Sequence, residues 1–77
     1  MYLPIELRGG WHKEDVCAGH VHCVTINASK IRTITVRDGV TVVDLGKVDF
    51  FAEDTRDDIN ANVSATYRAL GRYVWVH

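Results

Sequence analysis

The sequence predicts an α+β fold, in which a small antiparallel β-sheet of four to six strands carries one α-helix, at about residues 55–70, packed on one face. The first observation is Asp38-Gly39 between two β-rich segments, which is the strongest short-range signal of a hairpin. The second is an apolar stripe at spacings of four, four and three, which is typical of a helix. The stripe consists of Ile59, Val63, Tyr67 and Leu70.

The length of 77 residues accommodates a single domain spanning residues 1–77. The apolar runs are only a few residues long, so we expect no membrane span or membrane partner. The N-terminus lacks the basic and apolar regions of a signal peptide, which predicts a cytoplasmic protein. The formal net charge of −1 argues against direct nucleic-acid binding through phosphates.

The first third of the chain predicts two strands. We expect the first around Pro4, because a strand accepts proline at a sheet edge or at its first residue. The paired glycines in Arg8–Trp11 predict a turn, and residues 12–19 predict a loop or a poor strand. The run His20–Asn27 is rich in β-branched residues and predicts the next strand.

The register of the central hairpin follows from its turn. With Arg37 opposite Val40, the further predicted pairs are Ile34–Val43, Val36–Thr41 and Arg32–Leu45. Directly opposed residues share a face. The predicted inward face therefore carries Ile34, Val36, Val43 and Leu45. The predicted outward face carries Thr33, Thr35, Arg37, Val42 and Asp44. The segment from Lys47 to Phe51 predicts a further strand.

The helix has signals at both ends. Asp54 or Thr55 is the expected N-cap, and carboxylates follow in the first turn. Gly71 occupies the position expected of a C′ glycine, so the helix is predicted to end there. The segment Tyr73–His77 alternates aromatic or polar residues with valine, which predicts a short closing strand.

The segment Cys17–Cys23, "CAGHVHC", is the one candidate metal site. On a strand, His20 and His22 share a face while Cys23 points away, so a zinc ion would need a third ligand such as Cys17 or His12. A disulfide between the two cysteines is a second interpretation. We favour a third, in which Cys23 is a small buried hydrophobe and the histidines lie on the surface or at a sheet rim.

The same segment is a poor candidate for catalysis. A cysteine and a histidine could form a nucleophile and base, but neighbours on one strand cannot face each other and no third orienting group is evident. The sequence also lacks a glycine-rich phosphate loop after a strand. We therefore expect a non-enzymatic protein without a cofactor.

The acidic residues are concentrated in one part of the chain. They are Asp44, Asp49, Glu53, Asp54, Asp57 and Asp58. With Lys47 and Arg56 they give a local charge of −4, which leaves +3 for the rest of the chain. We expect them to crowd one end of the domain and to attract a basic surface of another protein. The alternative is a solvated face, because helix capping alone favours carboxylates in the first turn.

Trp75 is the aromatic candidate for partner binding. If Val74 and Val76 pack inward, Tyr73 and Trp75 are exposed on a terminal strand, which is typical of an interface. If the aromatics pack inward instead, they belong to the core.

Half of the chain resembles a known family. An asparagine after a strand, an "I..I" strand, a "T.V.L" strand and a helix beginning "E....I...I" are features of the small flagellar regulator family. The corresponding residues are Asn27, Ile31, Ile34, Thr41, Val43, Leu45, Glu53, Ile59 and Val63. These positions belong to strands and a helix start, so the resemblance implies an arrangement of elements and we carry no function over from it.

The expected function is binding of another macromolecule. More concretely, we expect an accessory inhibitor of the kind that phages and mobile elements encode, similar to an anti-CRISPR protein. It would dock the acidic residues between Asp44 and Asp58 on a basic surface of another protein. One alternative is a structural module that forms homodimers or larger assemblies through an edge strand. Another is a small metal-stabilised domain using Cys17, His20, His22 and Cys23.

Overall fold

The computed structural model describes residues 2–74, with side chains up to residue 69. The strands are β1 (Pro4–Gly10), β2 (His22–Asn27), β3 (Thr33–Arg37), β4 (Val40–Asp44) and β5 (Asp49–Ala52). The helices are the short α1 (Lys13–Cys17) and the long α2 (Arg56–Val74), and a 3₁₀ turn (Ala28–Lys30) follows β2. Neither α-helix within the described range is both long and apolar enough to cross a membrane.

The five strands form one antiparallel sheet in the order β2-β1-β5-β4-β3. The helix α2 packs on one face of it, which confirms the predicted fold class. We call this face the inner face. The core lies between the inner face and α2, and its buried members are Leu3, Ile5, Leu7, Ile26, Ala28, Val43, Phe50, Ala52 and Ile59.

The central hairpin confirms its predicted turn. Asp38 and Gly39 have φ angles of 52° and 78°, as a two-residue turn between twisted strands requires. The pairs Arg37–Val40, Ile34–Val43 and Val36–Thr41 occur as predicted. The predicted pair Arg32–Leu45 is not part of the register, because β3 begins at Thr33. The Arg32 N–H donates instead to the carbonyl oxygen of Asp44 at 2.7 Å.

The predicted division of the hairpin into a buried face and a solvated face is only partly correct. Val36 lies on the inner face but is 54% exposed, because β3 is at the sheet edge. Val42 was expected to face outward among polar residues, yet it is 4% exposed. Its strand lies inside the sheet, and Phe51 of β5 is its direct neighbour in the register. An interior strand can therefore bury a side chain on either face.

The segment around the paired glycines differs from the prediction. Gly9 and Gly10 belong to β1 and pair with Ala52 and Phe51, so no turn forms there. A Cβ atom on Gly9 would overlap the carbonyl oxygen of Phe51. Gly9 therefore permits the close approach of two backbones, and a Cβ atom on Gly10 would come within 3.2 Å of the Asp15 side chain. Pro4 is the first residue of β1, as the sequence allowed.

Residues 13–17 form a helix where a loop or poor strand was predicted. Glu14 and Asp15 suit its first turn. At its end, Gly19 has a φ of 79°, its N–H donates to the Val16 carbonyl, and the His20 N–H donates to the Asp15 carbonyl. This is the Schellman arrangement that ends a helix, and the following strand therefore begins at His22 rather than at His20.

The helix α2 begins as predicted but continues further. The Asp58 N–H donates to the Thr55 hydroxyl at 3.1 Å, which identifies Thr55 as the N-cap. The helix passes through Gly71 and is described as far as Val74, so Gly71 is not its C′ residue and residues 73–74 are not a strand. An interior glycine costs a helix about 1 kcal/mol relative to alanine, which does not by itself end it. Trp75 and the rest of the predicted closing strand lie outside the described residues.

Candidate protein-binding surfaces

The six acidic residues singled out from the sequence form two groups at opposite ends of β5. Asp44 and Asp49 face each other across β4 and β5, next to the turn that joins these strands. The Asp44 carboxylate accepts the Gly46 N–H at 2.8 Å, so it also stabilises that turn. Asp49 is exposed. Two carboxylates directly opposite each other destabilise a sheet slightly, so this pair has no structural benefit beyond the turn.

The second group, Glu53, Asp54, Asp57 and Asp58, lies where β5 passes into α2, and we call it the acidic junction. Glu53, Asp57 and Asp58 are exposed, while Asp54 is half-buried. The Arg8 N–H donates to the Asp54 carboxylate at 3.0 Å, and the Glu53 N–H donates to the Arg8 carbonyl. These bonds hold the backbone of the junction against β1.

The two groups lie at opposite ends of the strand β5, and α2 begins at one of these ends. The helix starts at the acidic junction, and farther along it Val63 and Tyr67 line a groove together with Thr33. Thr33 is the register partner of Asp44, so α2 runs toward the Asp44–Asp49 end of the sheet. The expectation that all six carboxylates crowd one end of the domain is therefore wrong, because the ends of β5 are about 10 Å apart.

A shallow cleft of about 330 Å³ adjoins the acidic junction. Its lining includes the apolar side chains of Val16, Val36 and Val40. It also includes Glu53 and Asp54 of the acidic junction, together with Thr55 and Arg56. A cleft lined by both valines and carboxylates suits a side chain that has an aliphatic stem and a cationic head.

A second groove, of about 320 Å³, lies between α2 and the start of β3. Its apolar residues are Ala28, Ile31, Ile34, Val63 and Tyr67, and its polar ones are Arg32, Thr33, Arg56 and Asn60. Tyr67 is 47% exposed, so the helix surface beside β3 is open to solvent.

The cysteine and histidine segment does not converge. Cys17 ends α1, His20 follows it, and His22 and Cys23 are successive residues of β2 with opposite orientations. Across the described part of the chain, no group of three or more metal-ligating side chains is close enough to hold an ion.

Both cysteines are free thiols and both are exposed, so the disulfide interpretation is wrong. The expectation that Cys23 is buried is also wrong. It shares the outer face of β2 with Thr25 and Asn27, opposite the face that contacts α2.

Two contacts escaped the sequence analysis because their partners are far apart in the chain. Lys13 and Asp38 form an ion pair at 2.9 Å, with side chains that are 41% and 80% exposed. The hydrogen bond and charge of Lys13 lower the pKa of Asp38, and Asp38 in turn raises the pKa of Lys13. Trp11 packs edge-on against Phe50, with ring centroids 5.1 Å apart.

No family model, curated protein or solved structure matches this chain. The functional argument therefore depends on the geometry of these surfaces.

Proposed function

We propose that this chain is a non-enzymatic binding module whose acidic junction docks on a basic surface of another protein. The single observation that supports this most is the cleft beside the junction, whose lining combines Val16 and Val40 with Glu53 and Asp54. A lysine or arginine side chain of the partner would lay its methylene groups on the valines and its cationic head against the carboxylates.

The charge around the cleft favours a basic partner. Glu53, Asp57 and Asp58 are exposed, and the one ion pair found among the described residues, Lys13–Asp38, involves none of them. Arg56 offsets part of this charge but leaves the junction acidic. A local negative field accelerates the encounter with a positively charged protein surface, and its effect weakens as salt is added.

Inhibition is the form of binding that we propose. A compact domain that occupies a basic surface would exclude the surface's usual ligand, and where that surface binds nucleic acid, the carboxylates would take the place of phosphates. This is the mode of an anti-CRISPR-like accessory protein of phages and mobile elements. It requires neither a cofactor nor a covalent step.

The test compares two sets of neutralised carboxylates at the two ends of β5. The junction variant carries Glu53→Gln, Asp57→Asn and Asp58→Asn, and it keeps Asp54 because that carboxylate accepts the Arg8 N–H. The control carries Asp44→Asn and Asp49→Asn. Each chain is immobilised, and proteins retained from a lysate of the native host are identified by mass spectrometry. A candidate partner is one retained by the wild type and the control and lost with the junction variant.

The partner is then purified and titrated at two salt concentrations. Exposed ion pairs contribute about 0.2–1 kcal/mol each, so loss of three charges is expected to weaken binding about tenfold at low salt and less at high salt. Thermal unfolding of the variants checks that each is folded. Equal affinity of the wild type and the junction variant for every retained protein would exclude the acidic junction as the docking surface.

A further inference from the structure

The strand β3 has an edge that no other described strand covers. It is the last strand of the sheet, and among the described residues it pairs with β4 alone. Val36 is 54% exposed on its inner face, and the strand contains no proline, which natural edges often use to prevent pairing. The strand β2 at the opposite edge exposes His22, Cys23 and Thr25, whereas β3 exposes Val36 beside Thr33, Thr35 and Arg37. Of the two edges of the described sheet, β3 is therefore the one that exposes an aliphatic side chain.

We infer that β3 pairs with β3 of a second copy of this chain, antiparallel and in a register centred on Thr35, so that the two sheets become one. This inference goes beyond the proposed docking function and does not depend on it. A two-fold axis at Thr35 places Ile34 opposite Val36 of the second copy, and by symmetry the reverse.

The direction of the backbone groups permits this register. The pair Arg37–Val40 closes a two-residue turn and exchanges backbone hydrogen bonds, and such pairs alternate along antiparallel strands. Thr35 and Val42 therefore form the next hydrogen-bonded pair, and the N–H and C=O groups of Ile34 and Val36 point away from β4. These are the groups that bond when Ile34 meets Val36 of a second copy.

The side chains favour this register over its neighbours. It buries Val36 against Ile34 and sets Thr33 opposite Arg37. It also brings Arg32 next to Asp38 of the second copy, an acidic side chain that is 80% exposed while it pairs with Lys13. A shift by two residues in one direction places Arg32 opposite Val36. A shift in the other direction places Ile34 opposite Asp38. Both alternatives oppose an apolar and a charged side chain, which leaves the Thr35-centred pairing as the complementary one.

The dimer adds to the acidic cleft without blocking it. Val36 lines one margin of that cleft, and the pairing brings Ile34 of the second copy to the same margin. Val16, Val40 and the carboxylates stay accessible. Docking and dimerisation can therefore be tested separately.

Disulfide trapping tests the register. In a Cys17→Ser and Cys23→Ser background, Thr35→Cys is expected to crosslink two chains on oxidation. Residues facing each other across a non-hydrogen-bonded antiparallel pair have Cα atoms about 4.5 Å apart, within the range that a disulfide spans. Thr33→Cys is the matched control, because its counterpart in the second copy would lie about 13 Å away. Both threonines are exposed, so both variants are expected to fold.

Light scattering on the unmodified chain gives the second measurement. The expected mass at high protein concentration is twice 8.7 kDa. Crosslinking of Thr35→Cys without crosslinking of Thr33→Cys, together with the doubled mass, supports the inference. A monomer at every concentration overturns it, and so does equal crosslinking of the two variants. Neither variant lies at the acidic junction, so failure here leaves the docking proposal standing.

Discussion

The centre of the sheet and its β3 edge contain the same kinds of side chain in opposite environments. Val43 of β4 and Val36 of β3 both lie on the inner face in adjacent strands. Val43 is fully buried, whereas Val36 is 54% exposed. The difference comes from the neighbours, since among the five described strands β4 has one on each side and β3 has one in all. Burial of a β-branched residue here depends on its place in the sheet more than on its type.

The contrast between these two valines distinguishes side chains that stabilise the fold from side chains that can bind another molecule. Apolar surface contributes to folding when folding removes it from water, at about 25 cal/mol for each Å². Val43 and Phe50 make that contribution within the chain. Val36 makes little of it, and its exposed surface remains available to a second molecule. Substitutions at the centre should therefore change folding, and substitutions at the edge should change association.

The largest effect is expected for Gly9→Ala at the centre. The added methyl group would overlap the Phe51 carbonyl oxygen and come within 2.9 Å of the Ala52 Cα atom. Gly9 and Gly10 provide the described pairing between β1 and β5, so relief of the clash would separate these strands. We expect a loss of about 4 kcal/mol or more, close to the whole stability of a small domain, measured by urea unfolding.

Gly19→Ala is the control for this prediction. Gly19 also has a special role, with a φ of 79°, but a Cβ atom there would meet no other atom within 4 Å. The expected loss of stability is then the cost of placing alanine in the left-handed conformation, about 1–2 kcal/mol. If Gly9→Ala unfolds at the same urea concentration as Gly19→Ala, the close approach of β1 and β5 is not what requires glycine.

A smaller and more direct comparison uses the two valines. Val43→Ala removes two buried methyl groups and leaves a cavity, so we expect a loss of about 2–3 kcal/mol. Val36→Ala removes the same groups at the exposed edge, and we expect a change within about 0.5 kcal/mol. Both are measured by urea unfolding at low protein concentration, where association does not contribute. Equal losses would mean that β3 is as well packed as β4.

The elements that could be predicted from the sequence are those with local causes. The Asp38-Gly39 turn determines the register of β3 and β4 through residues next to it in the chain. The start of α2 likewise follows from Thr55 and the carboxylates after it. The apolar stripe predicted for α2 is confirmed at Ile59, which is fully buried, and at Val63, which is partly buried.

The elements that could not be predicted depend on distant partners. Gly9 and Gly10 satisfy the chemistry of a turn equally well, and only the approach of Phe51 shows that they serve a strand. The end of α1 at Gly19 had a local signal, a lone glycine, but the helix before it is too short to give a periodic pattern.

For the candidate site, the sequence predicted which acidic residues take part but not how they are arranged in space. The charge of the acidic residues could be read from the chain, but their separation into two groups depends on the pairing of β5 with β4, for which no register was predicted. The cleft depends on Val16 of α1, a helix that the sequence did not predict. A surface assembled from several elements cannot be derived from any one of them.

The smallest effect is expected at the Lys13–Asp38 ion pair, which connects α1 to the turn at the edge of the sheet. The ion pair lowers the pKa of Asp38 from its ordinary value of 3.8. The ion pair therefore stabilises the fold above pH 3.8, and this stabilisation is lost as the pH falls through the lowered pKa of Asp38. The ion pair also raises the pKa of Lys13 from 10.5, so the stabilisation is present below pH 10.5 and is lost as the pH rises through the raised pKa of Lys13. Asp38→Asn removes the charge while keeping a residue that tolerates positive φ before glycine. The expected result is a small loss of stability in the neutral range, smaller still in high salt and absent at strongly acidic pH, in urea unfolding of the two proteins side by side. A loss as large as that of Val43→Ala, or one that persists at strongly acidic pH, would show that this end of the edge is held as firmly as the centre.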